Sequence, residues 1–475
     1  MLNRHLRSTC SLAGILAVTA AAAPGAAASS LTMIYQASDF PSSTPLLPPV
    51  PVAYGQVISG TQTQGQADGG NYGSGTLFVL TPGKKGSWVK TVLHTFSSEG
   101  RATEGANPSL PLAADKQGNV WGTTATGGAN NTGAVFELVK PAAKGGSWTY
   151  RLVAPLPVFQ TSYGGAVALA FDKHGNLFGS STVGCSQNDC GSLFELTAAT
   201  LNGGTKPAKV LLNFPTTLDG TTPEGLTIDP SGNLYGTSQG GGGNGPPPYY
   251  SGTVWEISPG AHGAPYSFQI VHAFCSNVDL LSQCVDGNQP YGGVTFAKGV
   301  LYGSTGFGGA GYTIINPGTG IGQTYGGNGE VYSLTPPATS GAPWTFTTLH
   351  ELVDYVGYNT PGPDYDVHTP QSAPLLSSTG ALMLPTALGG VFGGQSNYIY
   401  GSVLGVNASS GTETIVNNDF GVQNGDPRTG PLNDINNPRP IHIDSKHRVL
   451  GTSLSNFDTS CGCYNYWGDL WMVTP

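Results

Sequence analysis

The chain is poor in charge. Asp, Glu, Lys and Arg make up 9% of its 475 residues, against roughly 25% in an average soluble protein, so long amphipathic helices with charged outer faces cannot be written in it. It has no run of Lys or Arg and a net charge of −9, which makes nucleic acid and anionic membrane poor partners. Beyond the N-terminus no apolar stretch is long enough to span a bilayer, so no membrane span is expected. A Gly-x-Ser-x-Gly elbow, a His-Glu-x-x-His helix and a phosphate loop are all missing from any usable context. The glycines at 240–243 are followed by no Lys-Ser/Thr and open no helix.

What the chain has instead is 72 Gly and 36 Pro, with Thr, Val, Leu and Tyr that suit strands and turns. The fold class is all-β. Residues 1–28 have the order of a secretory signal: Arg4 and Arg7, an apolar run over 12–23, then Ala26-Ala27-Ala28. A secreted protein, extracellular or periplasmic and monomeric, is expected, with residues 29–475 as one domain. Six cysteines follow in three local pairs, Cys185 with Cys190, Cys275 with Cys284 and Cys461 with Cys463. In an exported chain they read as disulfides that pin loops, although the one residue between Cys461 and Cys463 strains the last ring. No zinc-knuckle spacing accompanies them.

One unit recurs. Its second strand carries a glycine at Gly60, Gly122, Gly179, Gly236, Gly303 and Gly451, with Pro385 in a degenerate copy. A loop follows, then a strand of Gly-Thr-Val-Trp-Glu-Ile type, as at 252–257. Before the glycine strand sits a short apolar strand ending in an Asp-x-x-Gly-Asn turn, as at 229–233, and after the Glu-Ile type strand comes an aromatic-led strand, as at 266–274. Four-stranded meanders at this period bury their two faces only by packing radially. A seven-bladed β-propeller of four-stranded blades is therefore expected. The last copy lacks its fourth strand while residues 31–40 look like an orphan one, so the N-terminal strand is expected to pair with the strand holding Trp471 and close the ring. The strand-two glycines are expected to let neighbouring blades approach closely.

The motif Asn233-Leu-Tyr-Gly-Thr-Ser238, a Gly-Gly loop and Gly252-Thr-Val-Trp-Glu-Ile257 resembles the GloVer-type extracellular tandem repeat of bacterial proteins, well over residues 100–310 and loosely elsewhere. The resemblance implies an exported bacterial protein. Members often carry a choice of C-terminal anchor, absent from this sequence, and no function carries over.

Strand order puts the loops from strand two to three, and from strand four to the next blade, on one side of the disc. The tight Asp turns lie on the other side. The first side holds the variable loops and is the candidate functional face. Its two-to-three loops carry Tyr72, Tyr249, Tyr250, Tyr312, Tyr325, Tyr398, Tyr400, Tyr464, Tyr466 and Trp467. Its four-to-one loops carry Glu351, Asp354, Asp364, Asp366 and His368, Asp279 and Asp286, and Asp426, Arg428, Asp434 and Arg439. Aromatics among carboxylates suit sugars.

A varying residue begins each inner strand and should face the central channel: Ser109, Tyr163, Glu224, Tyr291, Gln371 and Arg439. The leading functional reading is an exported binding module, most plausibly for glycan, using these residues with Tyr250 and Trp467. The first alternative is a polysaccharide hydrolase or lyase with Asp354, Asp364, Asp366, His368 or Glu224 as catalytic candidates, which needs two carboxyls roughly 5–9.5 Å apart. The second is a protein-interaction scaffold. No cofactor is required, although Asp364 and Asp366 flanking Tyr365 could hold calcium outside any EF-hand loop. Glu137, Glu195 and Glu256 and the fourth-strand His94, His272 and His350 recur in the frame and read as structural.

Overall fold

The computed structural model describes residues 30–36, 47–61, 74–97, 101–157, 168–181, 191–203, 208–214, 221–242, 251–260, 265–278, 284–309, 312–315, 322–325, 329–339, 341–352, 368–370, 372–388, 402–417, 439–453, 456–458, 463–465 and 469–474. Its strands form seven antiparallel meanders, blades 1 to 7, spanning 50–95, 106–155, 168–213, 221–273, 288–351, 368–417 and 439–474. Blade 4 shows the pattern in full: Thr221–Ile228, Leu234–Gly240, Thr253–Ser258 and Ser267–Ala273, hydrogen-bonded in that order. The first strand of every blade lies against the first strands of its two neighbours, so these strands line the inside of a closed ring.

The ring closes as its ends suggest. Ser30–Gln36 pairs antiparallel with Asp469–Thr474, with Thr32 opposite Met472, and supplies the outer strand that blade 7 lacks. Two further hairpins, Tyr312–Ile315 with Gly322–Tyr325 and Asn456–Asp458 with Cys463–Asn465, are built into the two-to-three loops of blades 5 and 7. Sequence periodicity does not reveal them, because they belong to single copies and not to the repeat.

Side chains alternate across each strand, so each blade has two apolar faces and the core is divided among the interfaces between blades. Leu234, Trp255 and Ile257 of blade 4 pack on Phe178, Leu193 and Phe214 of blade 3. The next residues along, Tyr235 and Val254, pack on Val294, Leu301, Tyr332 and Leu334 of blade 5. The interface that joins the chain's ends is of the same kind: Ile34, Leu450, Leu470 and Met472 meet Val57, Phe78 and Leu80 of blade 1.

The strand-two glycine has a role inside its own blade, which corrects the expectation that it serves close approach between blades. Gly122, Gly179, Gly236, Gly303 and Gly451 stand directly opposite Phe136, Phe194, Trp255, Tyr332 and Trp471 on the third strand. A Cβ on Gly236 would sit 2.2 Å from Trp255 Cζ2, and one on Gly179 would sit 2.2 Å from Phe194 Cζ. The bare backbone seats the ring flat, and the neighbouring blade then packs on that ring: Phe214 lies 5.3 Å from Trp255 and Phe274 5.4 Å from Tyr332. In blade 6, where Pro385 replaces the glycine, the residue opposite is Val403.

The tight turns hold the opposite end. Asp115 accepts from the backbone N–H groups of Gln117 and Asn119 and from Trp121 Nε1, and Asn119 Oδ1 in turn accepts from the Lys140 N–H just past strand three. Asp172 and Asp229 repeat the motif with Asn176 and Asn233.

Two outcomes test this construction. Gly236→Ala should destabilise the protein by about 1–3 kcal/mol through overpacking, and a second change, Trp255→Leu, should restore part of that loss in denaturant titration. A loss for Gly236→Ala below about 0.5 kcal/mol, the range of an ordinary surface change, would refute the seating of the ring. Deleting residues 30–36 should expose the edge of Asp469–Thr474 and give aggregation by light scattering. A truncated protein that stays monomeric and melts at the wild-type temperature would refute the closure.

Candidate functional site

Four of the seven inner strands share an irregularity that composition does not reveal. Those of blades 2, 4, 5 and 7 slip register just after a Pro-x step: between Ser109 and Ala113, Glu224 and Thr227, Pro290 and Val294, and Arg439 and His442. A bulge bends its strand and re-aims the side chain beside it. Ser109, Glu224 and Arg439 sit at one place in this frame, opposite Thr123, Thr237 and Thr452, each the residue after the strand-two glycine. The bulge thus holds a constant backbone and presents a different residue from blade to blade. Tyr163, Tyr250, Asp354, Asp364, Asp366, Gln371 and Trp467, and Cys185, Cys190 and Cys461, lie outside the described residues, while His368, Arg439 and Cys463 are described through their backbone alone.

Blades 4 and 5 give the site its described detail. Glu224 bridges them: Gln239 Nε2 donates to its Oε1 at 2.6 Å, and the Gly292 N–H of blade 5 donates to its Oε2 at 2.9 Å. Burial raises the Glu224 pKa, and the Gly292 N–H offsets part of that rise. Tyr291, the next blade's counterpart, lies over Gly306, where a Cβ would stand 2.2 Å from its Cε2. Gln239 and Gly306 both stand three residues beyond the strand-two glycine. A polar partner reaches the acid in one blade, and an empty position accommodates the ring in the other. The Tyr291 hydroxyl is raised by burial and then by the Glu224 charge, which puts the two groups within electrostatic reach.

The bulges nest backbone on backbone. Gly225 (φ 62°), Gly292 (φ 72°) and Gly293 (φ 89°) are left-handed, which glycine adopts without steric cost. A Cβ on Gly225 would stand 2.5 Å from Gly293 Cα, and one on Gly292 would stand 2.3 Å from Ser372 Cα of blade 6. Glu224 and Tyr291 are therefore carried by a rigid wall shared by three blades. Chemically, an acid with two fixed donors still has free lone pairs for a ligand hydroxyl, beside an aromatic face for an apolar one.

Other acids serve the frame. Asp286, grouped by sequence with the loop charges, is buried and accepts from Ser276 Oγ at 2.5 Å and from the Ser276 and Asn277 N–H groups, with His272 Nε2 at 3.2 Å. Burial pushes its carboxyl up, but the hydrogen bonds from His272 and Ser276 outweigh that and leave it below the usual range. It anchors the loop closed by the Cys275–Cys284 disulfide. Glu137 pairs with Arg151 at 2.5 Å, and Glu256 accepts from Ser258 and Gln269. His94 and His272 stack on Tyr150 and Phe346 of the following blades at 3.7 and 4.4 Å. Burial lowers His94 to about 4, so near neutral pH it is an uncharged packing group.

Sequence reasoning missed Glu330. Its place after the strand-three glycine holds the small residues Thr76, Ala134, Ser192, Thr253 and Ser402 in blades 1–4 and 6, and Asp469 in blade 7. The acid is fully buried: Thr348 Oγ1 donates to Oε2 at 2.6 Å, while Oε1 has no hydrogen-bond partner among the described residues. Burial, above all, pushes its pKa up to about 8, with the Asp286 and Glu351 charges adding to the rise and the Thr348 bond opposing it. An acid at a frame position that is otherwise mostly small is its one trace in the sequence, and Asp469 shares it.

Because the folded chain keeps this proton after the unfolded chain has lost it, stability should fall as pH rises from about 5 to about 8, by up to about 1.4 kcal/mol per unit, and then level off. Glu330→Gln should remove that fall. Denaturant titrations of both proteins at pH 5, 7 and 9 check this, and parallel wild-type and variant curves would refute it.

Among known proteins, the Gloeobacter/Verrucomicrobia repeat matches residues 53–315, one blade earlier than the well-matched stretch of the sequence resemblance. No curated protein matches the chain. Solved structures similar in fold include a protein provisionally named 6-phosphogluconolactonase from Bacteroides fragilis, with 13% identity, TM-score 0.42, and 90% of this chain and 94% of that one covered. PorZ, a surface component of the type IX secretion system of Porphyromonas gingivalis, has 12% identity and TM-score 0.46 over 90% of this chain and 46% of its own. A protein provisionally named gluconolactonase has 12% identity and TM-score 0.36 over 76% and 89%. At these identities the likeness concerns the fold alone.

Proposed function

The chain belongs to the Gloeobacter/Verrucomicrobia repeat family, and from that premise we propose that it is an exported glycan-binding module whose ligand sits at the inner-strand bulges on the long-loop face. One observation carries this reading: the bulge in blades 2, 4, 5 and 7 places Ser109, Glu224, Tyr291 and Arg439 in turn at one frame position, as a surface does when frame and specificity are separate. Glu224 and Tyr291 supply an acceptor and a ring face on one rigid wall, the pair of chemistries a sugar needs. Export is supported by the signal-like order of residues 1–28 and by the Cys275–Cys284 disulfide, a bond that persists in oxidising compartments. No helix among the described residues is long and apolar enough to cross a membrane.

The test is binding and turnover of the protein from Ser29 onward on a polysaccharide panel. Tyr291→Ala should weaken binding at least about tenfold, the size of a lost aromatic contact, and Glu224→Gln, which keeps the shape, should weaken it less. Wild-type affinity in both variants would sink the proposal. Turnover abolished by Asp364→Ala/Asp366→Ala would replace it with a polysaccharide hydrolase or lyase, and silence across the panel would favour a protein partner.

A further inference from the structure

Among the described residues, exposed lysines gather on one face of the disc. Among the described side chains no Asp or Glu is exposed; each is buried or half-buried. Lysines are exposed, and they belong to the tight-turn face. Lys84 and Lys85 lie in the three-to-four turn of blade 1, Lys144 in that of blade 2, and Lys116, Lys173, Lys298 and Lys446 in one-to-two turns. Lys209 opens a fourth strand at the same edge. The aspartates of these turns are engaged within them: Asp115, Asp172 and Asp229 accept backbone N–H groups of their own turns, and Asp444 pairs with Arg448 at 2.6 Å. The sequence contains no basic run, yet the ring gathers lysines from five blades onto one side.

Blade 1 breaks the turn pattern at the same face. In place of Asp-x-x-Gly it has Val52-Ala53-Tyr54-Gly55, and Tyr54 is 47% exposed with φ 64°. A bulky residue in the left-handed region is a true outlier, costing about 1 kcal/mol that glycine would not. Lys85 in the neighbouring turn is left-handed too, at φ 56°. The two turns are joined side by side: Gln56 Nε2 donates to Thr81 Oγ1 at 2.8 Å, and a Cβ on Gly55 would stand 3.7 Å from Pro82 Cγ. An exposed ring in one turn, with two lysines in the turn joined to it, suits a sugar ring carrying a carboxylate.

We infer that the tight-turn face is a second binding surface, centred on Tyr54, Lys84 and Lys85, for an acidic polysaccharide of the polyuronate kind. The sugar stacks on Tyr54 and its carboxylates meet Lys84 and Lys85, while the lysines of the other blades hold successive residues of the polymer. The surface faces away from the long-loop site, so the two can act independently.

The test uses the protein from Ser29 onward with polygalacturonate, neutral dextran, duplex DNA and phosphatidylglycerol vesicles as probes at low and moderate salt. Polygalacturonate should bind, less tightly as salt rises, and dextran should not bind. Lys84→Gln/Lys85→Gln should weaken polygalacturonate binding about tenfold or more. Tyr54→Gly should weaken it severalfold while raising the melting temperature, because the left-handed turn suits glycine. Glu224→Gln/Tyr291→Ala should leave it unchanged, which separates this surface from the loop-face site. The inference is overturned if the lysine variant binds as wild type, if DNA or vesicles bind as tightly as polygalacturonate, or if Tyr54→Gly lowers the melting temperature and leaves binding intact.

Discussion

A glycine opposite an aromatic ring is the contact on which the rest of this propeller depends. Strand-two glycine weakens a strand by its own entropy and by burying nothing, so its recurrence needs a gain elsewhere. That gain is the ring it seats: Trp255 and Tyr332 are wholly buried only because Gly236 and Gly303 let them lie against the backbone. A flat-lying ring then offers the preceding blade a broad apolar surface, which Phe214 and Phe274 cover. The same contact thus completes a blade and joins two blades. This is how a chain so poor in charge builds a core at every interface.

Fixing the radial packing in this way frees the ends of the strands. At the turn end, Asp and Asn side chains satisfy the backbone and tie strands one, two and three together. At the loop end, the inner-strand bulges nest glycine against glycine. Neither end depends on the identity of the residue placed beside it. Glu224 can take Gln239 as a partner while Tyr291 takes the space over Gly306, and the sheet behind them is unchanged. A scaffold with this separation can change what it recognises without refolding.

The architecture was legible because it is periodic: glycines at 122, 179 and 236 and the strands around them repeat at 57 residues, and an orphan strand at one end matched a missing one at the other. Gly236 was legible as a ruler but not as the seat of Trp255, because a pattern along the chain does not show what stands across the ladder. Asp286 looked like a loop charge because its partners lie back along the chain, Ser276 inside the loop that the Cys275–Cys284 disulfide closes and His272 before it. Glu330 is one acid among 27 acidic residues, and its frame position, shared with Asp469, does not show that it is buried. The bulges leave no compositional mark, since Pro-Glu-Gly and Pro-Tyr-Gly read equally well as the start of a plain strand.

The lysines show the same limit from the other direction. Scattered at intervals of tens of residues, Lys84, Lys116 and Lys173 carry no motif, and a negative net charge argues against any polyanion as partner. The meander reverses this, because every one-to-two and three-to-four turn returns to the same side of the disc. Lys116 Nζ even reaches the Lys173 carbonyl, and Lys173 Nζ the Pro230 carbonyl, each 57 residues ahead. Charge that is dilute along the chain becomes a surface property once topology sorts the turns. For a repeat protein, net charge is therefore the wrong quantity to set against a partner; the charge of each face is the one that meets it.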